Sequence, residues 1–463
     1  SIILLDNYLS AYSSSSSIHK SHLVSVIMSI LICAIIADNL LYALLFGGSQ
    51  VKQLTSSFGI LLFIIIVAVS YGSALYLLSR FISPLHRQIK TYSSRFNWLY
   101  KTLVITQYTS GVLIAIIILQ LILTSHYYVG FLITATALSF TLSAIVMALS
   151  GYTFLSWYKS SNKNATVLLY GVTFAVTATG LAVIIAVNSS VILLEKPAEI
   201  GVGLRSSTLD MSQNPEALIL YQITYTPSRI GFVLYWIATA LLLREYSRKL
   251  GRLKFWTIIS LPLVSFLSAS LFVSPDYKHS LLYDALLVLA ALTAGGILFG
   301  IAFLIMARSM SRNTATRALA DYLTISAYGT VLLVVSVTSP IIYTPYPPFA
   351  AAAWSFAGLS SYLFSLGFYF SAISIAQDSK LRQSIRGIAL KESKLLDSIG
   401  TAHMEQELVK KVLKLAKEHE KTLEEQTGVE LHEWQQQQAE EENIQEYMAE
   451  VLAEVDKSCK KQE

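Results

Sequence analysis

Charged residues are scarce in this chain, at 14% of 463 residues, and inside its apolar runs they are rarer still. Asp38 is the only ionisable residue well within such a run. That weighs against ion-coupled transport along a relay of charges, because such relays place several ionisable groups at membrane depth. Cysteine is nearly absent, with 2 residues, Cys33 in the first apolar run and Cys459 near the C-terminal end. A disulfide needs Cα atoms within about 7 Å, so the two form no structural pair. No Cys-x-x-Cys spacing is present for zinc or thiol redox chemistry. Proline is sparse, and Pro262 is the only one well inside an apolar run, where it predicts a kinked helix. Nucleophile elbows, His-Glu-x-x-His, Walker loops and dinucleotide fingerprints are all missing. The histidines scatter, and His403 and His419 lie among Glu and Lys on a charged stretch. The expectation is a protein without enzymatic chemistry, cofactor or metal.

Long apolar runs are what the chain has in abundance. Of about ten, all but the shortest, Arg229–Leu243, reach the roughly 18 residues needed to cross a hydrocarbon core as a helix, and charge alternation supports that one. Lipid offers no partners for free backbone groups, so helices are the only reading for such runs. The spans fall near Leu23–Phe46, Phe58–Phe81, Thr102–Thr124, Tyr127–Tyr158, Val167–Leu194, Arg229–Leu243, Phe255–Val273, Leu282–Ala307, Leu319–Tyr343 and Phe349–Ala376. The fold class is all-α: a polytopic transmembrane helical bundle, residues 23–376, after a lead-in over 1–22 and before a tail over 377–463. The serine run Ser13–Ser17 reads as a flexible lead-in, and Ser1–Leu23 lacks the features of a cleaved signal peptide.

Orientation follows from Lys and Arg near the span ends. With the N-terminus inside, inner loops collect about sixteen basic residues and outer loops about five. Lys52, Lys196, Arg205, Arg229 and Lys278 are the outer ones. The chain is expected to be a multi-pass cell-membrane protein with both termini cytoplasmic. Its formal charge of +5 combines basic inner loops with a tail richer in Asp and Glu. The basic bias fits anionic head groups rather than nucleic acid.

Polar residues within the spans are the candidate site. Asp38, Asn39, Gln120, Asn188 and Asp284 all fall in the outer half of the membrane under this topology. They either line one outward-facing pocket or each bond a neighbouring helix and serve packing. The segment 195–227 is the one sizeable outer loop. Its Leu218–Tyr225 piece suits a short strand or an interfacial segment, and its carboxylates lack the spacing of a calcium loop. Gly296-x-x-x-Gly300 predicts close helix approach.

The tail carries a second pattern. Ile388, Leu395, Ala402, Val409, Ala416 and Leu423 recur at one heptad slot, while the other core slot alternates apolar residues with Glu392, Gln406 and Glu420. A good seam beside a half-polar one predicts a weak coiled coil, or a helix that docks on a partner protein or a second copy. Otherwise the stripe belongs to a solvated helix. Gly400 is expected to interrupt it, with Thr401 as the restart. The string KESKLLDSIGTAHMEQELVKKV at Lys391–Val412, with FYFSAISIAQDSKLRQSIR before it, resembles the tail and last-span exit of uncharacterised polytopic membrane proteins of ammonia-oxidising archaea. The resemblance covers the last quarter of the chain; it implies a membrane-embedded archaeal protein and transfers no site residues.

Three functions fit these features. A sensor, signal relay or scaffold would use the outer loop as input and the tail for self-association or partner docking. A permease or channel would use the polar cluster as part of a pathway. An accessory subunit would travel with a larger membrane complex. The sequence favours the first.

Overall fold

The computed structural model describes residues 2–46, 56–83, 94–160, 164–194, 199–201, 206–207, 215–244, 251–272, 281–311, 317–337, 343–377, 395–409 and 411–412. The described chain is a bundle of long helices. In order they are α1 (Ile2–Phe46), α2 (Ser57–Leu77, continued by a π turn over Leu78–Ile82), α3 (Ser94–Thr124), α4 (Val129–Ser160), α5 (Ala165–Leu194), α6 (Pro215–Leu243), α7 (Arg252–Phe272), α8 (Leu281–Met310), α9 (Arg317–Ser336), α10 (Ala351–Ser355) and α11 (Ala357–Gln377), followed by a tail helix over 395–409. Among the described residues, nine helices are long and apolar enough to cross a membrane. The protein is a multi-pass integral membrane protein. The helix α7 is as long as a span, at 21 residues, yet opens on Arg252 and Lys254 and is not among the nine.

Burial sorts the helices. The spanning stretch of α11 is 78% buried and that of α9 is 72%, against 28% for α1, so α9 and α11 form the centre and α1 lies at the periphery. Glycine lets the central pair approach closely. A side chain at Gly329 of α9 would strike the backbone of Phe364, and one at Gly367 of α11 would strike Tyr322 and Ser326. Gly296 and Gly300 bring α8 onto α9 in the same way, against Val334 and Val331, as expected for a small-residue face.

Three boundaries differ from the sequence reading. Backbone helix runs from Ile2 without a break, so Ser13–Ser17 lies inside α1 rather than in a flexible lead-in. Leu218–Tyr225 is helical, not a strand, because α6 starts at Pro215; proline in a first turn costs no hydrogen bond. This shortens the outer loop expected over 195–227, and it places Pro227 inside a helix beside Gly180 of α5. The tail helix passes through Gly400 without interruption, since any side chain there would collide with Ile375 of α11.

Two short antiparallel pairs join the connections at one end of the bundle. Strand β1 (His126–Tyr128) pairs with β2 (Glu199–Gly201), Tyr127 opposite Ile200. Strand β3 (Ser206–Ser207) pairs with β4 (Tyr343–Thr344). The connections after α3, α5 and α9, which charge counting places on one face of the membrane, are therefore physically together.

A candidate functional site at a broken helix

The last spanning helix, α11, is preceded by a separate short helix, α10, within the buried core. Pro345, Pro347 and Pro348 leave the chain ahead of it without amide donors, and Ala350 adopts a left-handed conformation at φ 70° as N-cap of α10. Alanine has no side chain able to cap, so the first amides of α10 need an acceptor from elsewhere. Asp38 of α1 supplies it. The Ala353 N–H donates to Asp38 Oδ2 at 3.1 Å, from the third position of the helix, and the amides of Ala350 and Ala352 also act on the carboxylate. Asp38 is fully buried, and among the described residues the groups bonding it are the backbone amides of Ala350, Ala352 and Ala353.

After 5 residues α10 stops at Phe356, and α11 begins at Ala357. One hydroxyl closes the gap. Ser139 of α4 donates to the Ser355 carbonyl at 2.9 Å and accepts from the Gly358 N–H at 3.0 Å. Buried irregular backbone persists only where polar partners satisfy it; here a single serine bonds both sides of the break. The contact continues along α4 and α11, with Ser143 bonded to Ser361 and Ser150 to Ser365 at 2.9 Å. Aromatic edges fix the break from α1 and α2: Tyr42 on Trp354 at 5.5 Å, Phe63 on Phe349 at 5.8 Å and Tyr71 on Phe356 at 4.9 Å.

Asn39 ties α1 to the end of α9. Its amide donates to the Val335 carbonyl at 3.0 Å and to Ile35 of its own helix at 3.1 Å. Several buried polar atoms nearby have no partner: Asp38 Oδ1, Asn39 Oδ1, Ser336 Oγ, Ser70 Oγ, Gln107 Nε2 and Trp354 Nε1. Buried polar atoms are nearly always bonded, so each such orphan calls for a physical reason.

The five sequence candidates divide accordingly. Asp38 and Asn39 meet the broken helix directly. Gln120 accepts the Tyr128 N–H at 3.1 Å and fixes the corner between α3 and β1. Asn188 and Asp284 lie on α5 and α8, but their side chains fall outside the described residues. A groove of about 660 Å³ between α1 and α2, lined by residues such as Val26, Cys33 and Ile65, is apolar, and none of the five lines it. None lines the second cavity either, about 90 Å³ between α4 and α11 beside Ser150 and Ser365. Ser139 and the break itself went unread in the sequence, where Phe349–Ala376 looked like one span. The cluster of prolines ahead of Phe349 was the available signal. Among the described residues no three His, Cys, Asp or Glu side chains gather as metal ligands.

The tail helix packs on its own bundle. Leu395, Leu396, Ile399 and Ala402 are buried, and the His403 ring meets Trp157 of α4 and Tyr369 of α11. Gln406 donates to Ser156 at 2.7 Å and Ser160 at 3.1 Å, and Asn164 to Ser398 at 3.2 Å. The half-polar slot thus faces the serine-bearing end of α4. Ile388, Ala416 and Leu423 lie outside the described residues, and Val409 is partly exposed.

Comparison with known proteins adds no relative: no family model matches the chain, nor does any curated protein or solved structure.

Proposed function

We propose that the chain is a permease whose working element is the broken helix α10–α11, oriented with both termini inside. The observation that carries this reading is the buried Asp38 carboxylate capping a five-residue helix within the bundle. Discontinuous helices near the membrane midplane are where transporters expose backbone groups to substrate and ions. The sequence favours a sensor or scaffold instead, on its few intramembrane charges and its long amphipathic tail. Over 395–409 the buried face is covered by α4 and α11.

A relay function has one observation in its favour. The helices α4 and α11 each touch the break, through Ser139 and Gly358, and each touch the tail, through Ser156 and Tyr369. Both functions require water to reach the break in some state. The test is Ala353→Cys on a background with Cys33 and Cys459 replaced by Ala, treated with a membrane-impermeant maleimide in intact cells and in inverted vesicles. The permease predicts labelling at residue 353 from at least one side. Complete protection from both sides, with the protein folded and inserted, removes the permease and leaves a sealed scaffold.

A further inference from the structure

The crossing of α1 over the end of α9 and the start of α10 holds more oxygen than the fold uses. Asp38 is held to Ala353, and Asn39 to Val335, the residue before Ser336. Asp38 Oδ1, Asn39 Oδ1 and Ser336 Oγ therefore belong to one junction, all three residues are fully or almost fully buried, and all three atoms lack a partner. The last turn of α9 runs alongside, its Leu333 carbonyl taken by the Val337 N–H and its Val335 carbonyl by Asn39. A carboxylate oxygen, an amide oxygen and a hydroxyl present a set of hard oxygen donors at the C-terminal, negative end of α9.

We propose that this junction binds a monovalent cation of sodium type, with Asp38, Asn39 and Ser336 as side-chain ligands. The charge balance selects the valence. A buried ion is costly unless its charge is matched, and one carboxylate matches one positive charge. A divalent ion would leave an excess charge in a low-dielectric interior and wants more carboxylates than the junction offers. Among the described residues no basic side chain acts on Asp38 to perform the neutralisation instead. A proton on Asp38 balances the charge equally well but gives the Ser336 and Asn39 oxygens no common function. The bound cation also explains why Asp38 caps α10 with only one oxygen: the other is kept for the ion. Ion release would then leave an uncompensated charge at the cap, which couples occupancy to the position of α10.

The inference deepens the permease reading and rests on the same junction, so its test is chosen to fail separately. Full-length protein in detergent is unfolded by heat at fixed ionic strength, with choline chloride replaced stepwise by sodium chloride, potassium chloride or lithium chloride. Binding predicts a saturable Tm rise of roughly 5 °C with at least one alkali cation and none with choline. Asp38→Asn should abolish the rise. Ser336→Ala is the decisive variant, because its hydroxyl has no partner in the fold: its Tm in choline should equal that of the wild type, while its cation midpoint should move about tenfold or more to higher concentration. A wild-type Tm that ignores every alkali cation, including one that responds only to acid, overturns the proposal in favour of a protonated Asp38. A Ser336→Ala variant with the wild-type cation curve overturns it as well. Since no gradient is involved, cation binding with residue 353 protected keeps the site and removes the pathway. Labelling at 353 without cation binding does the reverse.

Discussion

Asp38 and Asn39 differ in what their loss would do, although they are neighbours. Changing Asp38 to Ala takes the acceptor from Ala353 and leaves a buried amide unpaired, at about 1–3 kcal/mol. Asp38→Asn keeps an acceptor oxygen for that amide and removes only the charge. The expected order of stability is therefore wild type in the presence of cation, then Asp38→Asn, then Asp38→Ala. Thermal unfolding in a single detergent checks it, and an Asp38→Ala protein as stable as Asp38→Asn would deny the carboxylate its capping function. Asp38 was visible in the sequence because an ionisable residue within a span is expensive. Its function was not, since the amide it caps is 315 residues away. Ser139 was invisible for a different reason. Hydroxyls in these helices ordinarily bond the carbonyl one turn back, as Thr136 does with Leu132 and Ser150 with Val146, so nothing in the sequence separates the serine that closes a break from those that close nothing.

At the scale of elements, the tail helix offers a charge to titrate. Burial raises the Glu405 carboxyl above its ordinary value of 4.5. A raised folded-state value means that the docked helix prefers the protonated form. Its contribution is fully present below the ordinary value and fades as pH rises through the raised one. Backbone hydrogen exchange over 395–409, corrected for intrinsic rates, should be slower at about pH 5 than at about pH 8. Glu405→Gln should be slow at both, which separates this carboxyl from titration of the neighbouring His403. Equal protection of the wild type at both values would mean that Glu405 takes no part in docking. The apolar slot of this helix was legible as a seam, because Leu395 and Ala402 recur at heptad spacing. Which surface would cover it was not legible: periodicity reports that a face is buried, never by what. Gly400 was misread for a related reason, since a glycine that admits Ile375 and a glycine that ends a helix look identical in one dimension.

For the whole molecule, the long apolar runs made the bundle readable, as lipid leaves them no other conformation. Strand pairing of the connections after α3, α5 and α9 adds that these share one end. Charge counting assigns that end to the outside. With Ser206→Cys and Ser247→Cys introduced separately into a chain whose native cysteines are replaced, an impermeant thiol reagent should label Ser206→Cys in intact cells and Ser247→Cys only after permeabilisation. The opposite pattern would invert the orientation while leaving the bundle as it is. The arrangement of helices within the bundle lay beyond the sequence, because polar residues at equal depth need not be neighbours. Gln120 bonds the start of its own hairpin, whereas Asp38 reaches the start of α10 and Asn39 the end of α9.

The bond between Asp38 and Ala353 also has a timetable. The helix α1 leaves the ribosome well before α10. At about 5–20 residues per second, the 315 residues between them take on the order of 16–60 s to synthesise. Throughout that interval α1 carries a carboxylate that lipid disfavours by about 2.5–3.5 kcal/mol at mid-span. The nascent chain therefore needs a waiting place for α1, against the insertion machinery or with Asp38 transiently protonated, until α10 arrives. A chain cut short before Ala353 would keep that first helix unfinished, which marks it for quality control before any question of activity arises.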